Sequence, residues 1–140
     1  MLCKHVEERS CSRVNSLLKP PILPSLGIDL IEVERIRKHL DDEAFLERIF
    51  TERERKECLR RAKPEESLAA RWAAKEAVAK ALGVGIGKHL SWQDIEVIEG
   101  HGKAPRVHLS GPYAEFPMRI ALSITHTKTA AAAVVMIYPG

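Results

Sequence analysis

The spacing of apolar residues divides the chain into a helical part followed by a strand-rich part. Residues 26–31 form a short continuous apolar run that predicts a buried strand, and 32–40 repeats apolar residues at helical spacing. Alternating patterns later in the chain predict strands at 94–99 and 106–109 and a closing hairpin over 121–137. Helices that precede strands are typical of an α+β domain, so we expect a single domain whose long central helix packs on an antiparallel sheet.

Capping residues set the expected ends of the helices. Asp42 stands where it can cap a short helix. Thr51 and Glu54 have the spacing of a capping box, and the helix that they open is expected to run to about Ala62. The longest helix, 64–82, has a proline in its first turn and a glycine directly after its last residue, which are the positions that these residues favour.

Composition and charge narrow the classes of function. The 140 residues include 22 Lys and Arg against 19 Asp and Glu, and this mildly basic balance suits an anionic partner. Aromatic residues make up 5% of the chain, too few for the stacking platforms of a single-strand binder, so we expect no nucleic-acid partner. No apolar run reaches the roughly 20 residues that span a bilayer, so we expect no membrane partner. Three cysteines without a CxxC pair favour the reducing cytoplasm.

The first 25 residues differ from the rest of the chain. Their charges are scattered, and the segment KPPILP interrupts any regular period. We therefore predict that residues 1–25 form a mobile N-terminal extension that the folded domain, residues 26–140, does not need. The start of the chain also lacks the apolar core of a secretory signal.

Charged residues and glycines concentrate in the segment RWAAKEAVAKALGVGIGK, residues 71–88. Arg71 and Lys75 are four residues apart and share one face of the helix, whereas Glu76 and Lys80 share an adjacent face. Three glycines follow the helix: Gly83, Gly85 and Gly87. Cations beside bare backbone can bind phosphate groups. Glu76 and Lys80 can equally form a solvated ion pair, and Gly83 can simply end the helix. The pattern alone does not decide between these structural roles and phosphate binding.

Asp29, at the junction of the first strand and helix, is a second candidate. Together with Glu76 it can hold Mg²⁺ if the fold brings them together, because Mg²⁺ takes one or two protein carboxylates and completes its shell with water and phosphate. On local pattern alone, Asp29 is better explained as a helix N-cap. On local pattern alone, His126 is also best explained as an exposed histidine in a turn. Arg35 and Lys38 are likewise explained as part of a solvated, charged face of the first helix.

Six segments occur in the order found in one enzyme family: GIDLIEVERI, FTERE, RWAAKEAVAKALGVGIG, WQDIEV, GKAP and LSITHTKTAAAAVV. Over residues 26–138 the chain resembles the bacterial holo-acyl-carrier-protein synthases, which belong to the 4′-phosphopantetheinyl transferase superfamily. The resemblance implies a phosphopantetheinyl transferase-like fold. It also implies Mg²⁺-dependent transfer of 4′-phosphopantetheine from coenzyme A to a serine of an apo acyl carrier protein, with release of 3′,5′-ADP.

The resemblance also implies roles for individual residues and an assembly. Asp29 and Glu76 match the metal carboxylates, and we expect Glu76 and Lys80 to act in catalysis. Five further positions are expected to bind coenzyme A: Arg71, Lys75, Gly83, Gly85 and His126. Arg35 and Lys38 match the surface that receives the acyl carrier protein. The family resemblance further implies a homotrimer with active sites at the subunit interfaces.

Departures from the family pattern and one alternative function accompany this resemblance. Trp72 stands where phenylalanine is usual in the family, and Val84 stands where a small hydroxyl residue is common. The alternative is a non-catalytic adapter that binds an acidic carrier domain. Such an adapter needs the basic first helix but has no use for a pair of carboxylates, so the presence of Asp29 and Glu76 favours the enzyme.

Overall fold

The computed structural model describes residues 24–100 and 103–140. The first half contains strand β1 (Ser25–Glu32) and helices α1 (Glu34–Arg37), α2 (Glu43–Ile49), α3 (Glu52–Leu59) and α4 (Pro64–Leu82). The second half contains strands β2 (Ile95–Gly100), β3 (Lys103–Leu109), β4 (Met118–His126) and β5 (Ala130–Pro139), with short 3₁₀ turns at Trp92–Asp94 and Gly111–Tyr113. The predicted extension lies, apart from its last two residues, outside this description, and its mobility stays a prediction.

The antiparallel sheet is built around β5. The order β1-β5-β4 places Asp29 on β1 opposite Ala133 of β5, which in turn lies opposite Ile124 of β4. Strands β2 and β3 form a separate antiparallel pair, and within the described residues β3 contacts β4 without joining its sheet. The fold is therefore α+β with antiparallel sheets, as predicted, but the expected single sheet is divided into two.

Helix α4 is the centre of the fold and packs across β1 and β5. Its alanines let the backbones approach closely, and a Cβ atom on Gly27 of β1 would lie only 1.8 Å from the carbonyl oxygen of Ala77. No other residue fits at Gly27 without moving the strand or the helix. Leu68 and Val78 are fully buried on α4, which spans the main apolar core.

The capping predictions at the two middle helices are confirmed. Asp42 accepts a hydrogen bond from the backbone of Phe45 at 3.1 Å, which closes the start of α2. Helix α1, by contrast, is a single turn, Glu34–Arg37, much shorter than the apolar spacing over residues 32–40 suggested. Thus local caps were easier to predict than the length of a helix that packs on larger neighbours.

The end of α3 differs from the prediction. Thr51 and Glu54 form the predicted capping box, with bonds of 3.2 and 2.8 Å. The helix stops at Leu59, short of the expected Ala62. The proline that opens α4 disfavours helical backbone at the residue before it, and Lys63 there has φ −128° and ψ 76°. Across the described residues, no helix has the length and apolar character required to cross a membrane.

Candidate active site

Asp29 and Glu76 meet where β1 passes beneath α4. Side chains alternate along β1, so Gly27, Asp29 and Ile31 point toward the helix, while the residues between them point outward. The close approach at Gly27 brings Asp29 against the turn of α4 that carries Glu76 and Lys80. The two carboxylates that were predicted from distant parts of the sequence are therefore neighbours.

Lys80 ties the strand to the helix at this point. Its ammonium group donates hydrogen bonds to Oδ1 of Asp29 and to the carbonyl oxygen of Ile28, both at 3.0 Å. The side chain of Lys80 is 53% exposed, whereas that of Asp29 is 15% exposed. A cation thus stands at the open side of a mostly covered carboxylate, where an anionic ligand can reach it from solvent.

The environment of Glu76 opposes its negative charge. Burial raises the pKa of the Glu76 carboxyl, and the nearby charge of Asp29 raises that pKa further, while Lys80 and Arg35 act in the opposite direction. A divalent cation between the two carboxylates would remove their mutual repulsion. Among the described residues no further His, Cys, Asp or Glu completes a metal-binding cluster, so a bound Mg²⁺ would take its other ligands from water and phosphate.

Lys75 lies on the opposite side of α4 from this pair. Its fully buried ammonium group donates to the carbonyl oxygens of Ile49 at 2.7 Å and Trp92 at 3.1 Å, and it lies 2.5 Å from a carboxylate oxygen of Glu54. Burial lowers the pKa of Lys75, and Glu54 opposes that effect. All three ammonium protons have partners within the chain. The expected contact between Lys75 and coenzyme A does not fit this geometry.

Arg71 shares its face with Lys75, as the spacing predicted, and that face is turned toward α3. Its guanidinium nitrogen lies 3.7 Å from a carboxylate oxygen of Glu57, and the residue is 6% exposed. The Nε atom of Arg71 has no hydrogen-bond partner among the described residues. The structure therefore does not bring Arg71 to Asp29 and Glu76, and its role as a coenzyme A ligand stays a prediction.

The glycine turn after α4 uses most of its N–H groups internally. Gly83 has φ 77° and donates to Lys80, while Gly85 has φ 66° and donates to Ala79. Gly87 donates to the carbonyl oxygen of Leu90 at 2.8 Å. A phosphate therefore finds no free N–H group at these three glycines, because Gly83 and Gly85 satisfy carbonyls at the helix end and Gly87 satisfies the carbonyl of Leu90. Gly83 and Gly85 can serve a ligand through the shape of the turn.

His126 shares the sheet face of Asp29 but stands apart from it. It ends β4 and lies opposite Ala131, which lies opposite Ile31 of β1. Two strand spacings of about 4.8 Å therefore separate the His126 and Ile31 backbones. His126 is exposed. Within one chain the structure does not bring His126 to the Asp29–Glu76 pair.

The expected carrier-binding residues are exposed on and beside α1, and they adjoin an aromatic row that we did not predict. Arg35 and Lys38 both face solvent, and the charge of Arg35 is felt at Glu76. Beneath them four rings follow one another: His39, Phe45, Trp72 and Trp92. The departure at Trp72 was visible in the sequence, but its neighbours come from three other segments. Glu54 was predicted as a capping residue, but its contact with Lys75 was not predicted.

Comparisons with known proteins identify the family of this chain. The family model described as the 4′-phosphopantetheinyl transferase superfamily matches residues 25–135. A holo-[acyl-carrier-protein] synthase of Chlorobaculum tepidum is 42% identical over 116 residues, which cover 81% of this chain and 97% of that protein. One of Chlamydia felis is 46% identical over 112 residues, covering 77% of this chain and 91% of that protein.

Solved structures show the same relationship. The crystal structure of a holo-(acyl-carrier-protein) synthase from Bacillus anthracis in complex with CoA (3′,5′-ADP) has a TM-score of 0.73 at 41% identity, covering 83% of this chain and 96% of that one. The crystal structure of the Helicobacter pylori holo-[acyl-carrier-protein] synthase in complex with coenzyme A has a TM-score of 0.72 at 36% identity. The match covers 80% of this chain and 98% of that one. The chain belongs to the 4′-phosphopantetheinyl transferase superfamily.

Proposed function

We propose that this protein transfers the 4′-phosphopantetheine group of coenzyme A to a serine of an apo acyl carrier protein, with Mg²⁺ held by Asp29 and Glu76. The transferase function predicted from the sequence motifs is confirmed by relatives named holo-[acyl-carrier-protein] synthase. Coenzyme A is named in the structures of two related proteins. The metal, the roles of single residues and the assembly are our proposals.

The main support for the proposal is that Asp29, Glu76 and Lys80 lie together where the ammonium group of Lys80 is exposed to solvent. In the proposed reaction the serine hydroxyl attacks the β-phosphorus of coenzyme A, and the bond from that phosphorus to the bridging oxygen breaks. The new phosphodiester forms on serine, and 3′,5′-ADP leaves with the bridging oxygen. Asp29 and Glu76 would hold Mg²⁺, which would supply positive charge for the phosphate oxygens.

The residues of this chain do the remaining work. Lys80 is proposed to turn its exposed ammonium group toward the transferring phosphate, where fixed positive charge stabilises developing negative charge. Glu76 is proposed to accept the serine proton, because its carboxylate stands beside Asp29 and Lys80 where the transferring phosphate would bind. Gly83 and Gly85 are proposed to form a wall against which coenzyme A lies.

The homotrimer with interfacial active sites is supported by an apolar face on this chain. The outward side of β1 exposes Leu26, Ile28 and Leu30 by 65%, 67% and 68%. On β5 the same side of the sheet exposes Val134 and Tyr138 by 43% and 40%. A contiguous apolar face of this kind favours association between protein surfaces.

Sharing of the site between subunits is also proposed. His126 stands away from Asp29 within one chain, and a neighbouring subunit would supply a second His126. We further propose the cytosol as the compartment, because the sequence has three cysteines with no CxxC pair and Cys58 is a buried free thiol.

The test is a mass measurement on the carrier serine. Purified protein is incubated with coenzyme A, Mg²⁺ and an apo acyl carrier protein, and the carrier is expected to gain the mass of 4′-phosphopantetheine. Asp29→Asn and Glu76→Gln should each abolish that gain while the protein stays folded. An exposed carboxylate outside the site, Glu47→Gln, is the matched control. A folded wild type that leaves the carrier unchanged refutes the proposal, and full activity in Asp29→Asn refutes the metal assignment.

Size exclusion with light scattering tests the assembly. A trimer is expected for the wild type, and an Ile28→Lys variant should be smaller because a charge then interrupts the exposed apolar face. A monomeric wild type that retains full activity would refute both the trimer and the interfacial site.

A further inference from the structure

The indole of Trp72 forms the middle of the aromatic row. Its ring centroid lies 4.6 Å from that of Trp92 and 6.2 Å from that of Phe45, whose ring is nearly parallel to it. Trp72 is 9% exposed, so the surrounding residues hold the ring in place. The guanidinium carbon of Arg35 lies above this fixed ring, 4.9 Å from its centroid.

The two arginines of α1 are held in different ways. Arg37 lies 2.5 Å from a carboxylate oxygen of Glu34 and 3.9 Å from one of Glu65, so its charge is already matched inside the chain. Arg35 forms no ion pair with any carboxylate in the described parts of the chain, and its neighbour is the face of Trp72. Both side chains are exposed, but among the described residues only Arg37 has a carboxylate that matches its hydrogen-bonding groups.

A guanidinium group has two distinct ways to bind. Its flat face lies on an aromatic ring, and its rim presents five N–H donors in a fork that fits a carboxylate. Contact with Trp72 uses the face and leaves the rim available. A long side chain held in this way also loses less conformational freedom when a partner arrives, because part of that loss has already occurred.

We infer that Trp72 is a positioning residue that holds Arg35 on its indole face, so that the guanidinium rim meets an acidic side chain of the carrier protein. This inference rests on the proposed function and adds a determinant of carrier affinity. Indole gives the strongest cation–π contact of the aromatic side chains, so Trp72 holds Arg35 more firmly than a phenylalanine or tyrosine would.

Steady-state kinetics with the acyl carrier protein as the varied substrate test this inference. At saturating coenzyme A and Mg²⁺, Trp72→Phe should raise the KM for the carrier by about twofold and Trp72→Leu by about three- to tenfold. The kcat and the KM for coenzyme A should stay within about twofold of the wild-type values, because both variants keep the charge of Arg35 near Glu76 and lose only its fixed orientation.

Two controls separate positioning from a general packing effect. Trp92→Phe alters the same aromatic row without touching Arg35 and should leave the KM for the carrier unchanged. In an Arg35→Ala background, Trp72→Leu should raise that KM by less than about twofold, since the residue that it positions is gone. Thermal unfolding of each variant confirms that it is folded, and Trp72→Phe preserves most of the packing should Trp72→Leu fail to fold.

The outcomes are distinct. A wild type that never modifies the carrier overturns this inference together with the proposed function. An active wild type whose carrier KM is unchanged by Trp72→Phe and Trp72→Leu overturns this inference alone. An equal rise in KM with and without Arg35 also overturns it, because Trp72 would then act through packing.

Discussion

Two lysine–carboxylate pairs lie on opposite sides of α4, and they differ in almost every physical respect. Lys75 and Glu54 are both fully buried and 2.5 Å apart. Lys80 and Asp29 are 3.0 Å apart, with Lys80 about half exposed. The first pair has further hydrogen-bond partners in the backbone around it, whereas the second pair has another carboxylate, Glu76, beside it.

The difference separates an ion pair that is enclosed by the fold from one that a ligand can reach. Glu54 accepts hydrogen bonds from the backbone of Thr51 at 2.8 Å and Val97 at 2.9 Å in addition to its contact with Lys75. A buried pair with every group satisfied holds its segments in one arrangement and has no capacity left for a ligand. At Lys80 the cation faces solvent beside two neighbouring carboxylates, whose repulsion the proposed metal ion would relieve.

Removal of the buried cation should have the largest effect on stability. Lys75→Met keeps the length of the side chain but leaves Glu54 buried without its positive partner. We expect a loss of about 3–5 kcal/mol in the free energy of unfolding, because an uncompensated buried charge is costly. Urea denaturation followed by circular dichroism measures it. A loss below about 1 kcal/mol would contradict the structural role of this pair.

The same substitution at the open pair should act on the reaction instead. Lys80→Met is expected to slow carrier modification by about 100-fold, the order of loss for a group that stabilises developing charge. Its cost in unfolding free energy should stay below about 1 kcal/mol, since the side chain is largely solvated. The initial rate of mass gain on the carrier and the urea midpoint are measured on one preparation. A variant that retains a third or more of the rate would remove Lys80 from the mechanism.

The sequence predicted the open pair better than the buried one. Asp29, Glu76 and Lys80 lie in short motifs that resemble one enzyme family, and the fold that brings them together was predicted with those motifs. The spacing of Arg71 and Lys75 showed that they share a face, but helical periodicity does not say which neighbour that face meets. Charge suggested a phosphate, and the structure shows carboxylates of α3.

The same limit applies to Glu54 and to the aromatic row. A capping box is a local pattern, so Thr51 and Glu54 were predictable, while the contacts of Glu54 with Val97 and Lys75 join segments far apart along the chain. Trp72 was recognised as a departure, but only the tertiary structure shows Arg35 above its ring. Contacts of high sequence separation depend on how elements pack, which periodicity does not determine.

The smallest expected effect concerns the stability of the metal-free protein. Because the pKa of Glu76 is raised in the folded state, that state binds a proton more tightly at Glu76 than the unfolded state does. Stability therefore falls as the pH rises from the ordinary pKa of a glutamate to the raised value. Glu76→Gln lacks this loss, so it should be more stable than the wild type at pH 8 in EDTA, by an amount that shrinks toward pH 4.

Thermal unfolding across this pH range, with and without Mg²⁺, measures the effect. Mg²⁺ should raise the Tm of the wild type more than that of Glu76→Gln, since binding to the folded state stabilises it by mass action. The exposed Glu47→Gln variant should follow the wild type under every condition. If Glu76→Gln is instead less stable than the wild type at pH 8 in EDTA, Glu76 contributes to stability in the way that Glu54 does, and the contrast between the two sides of α4 disappears.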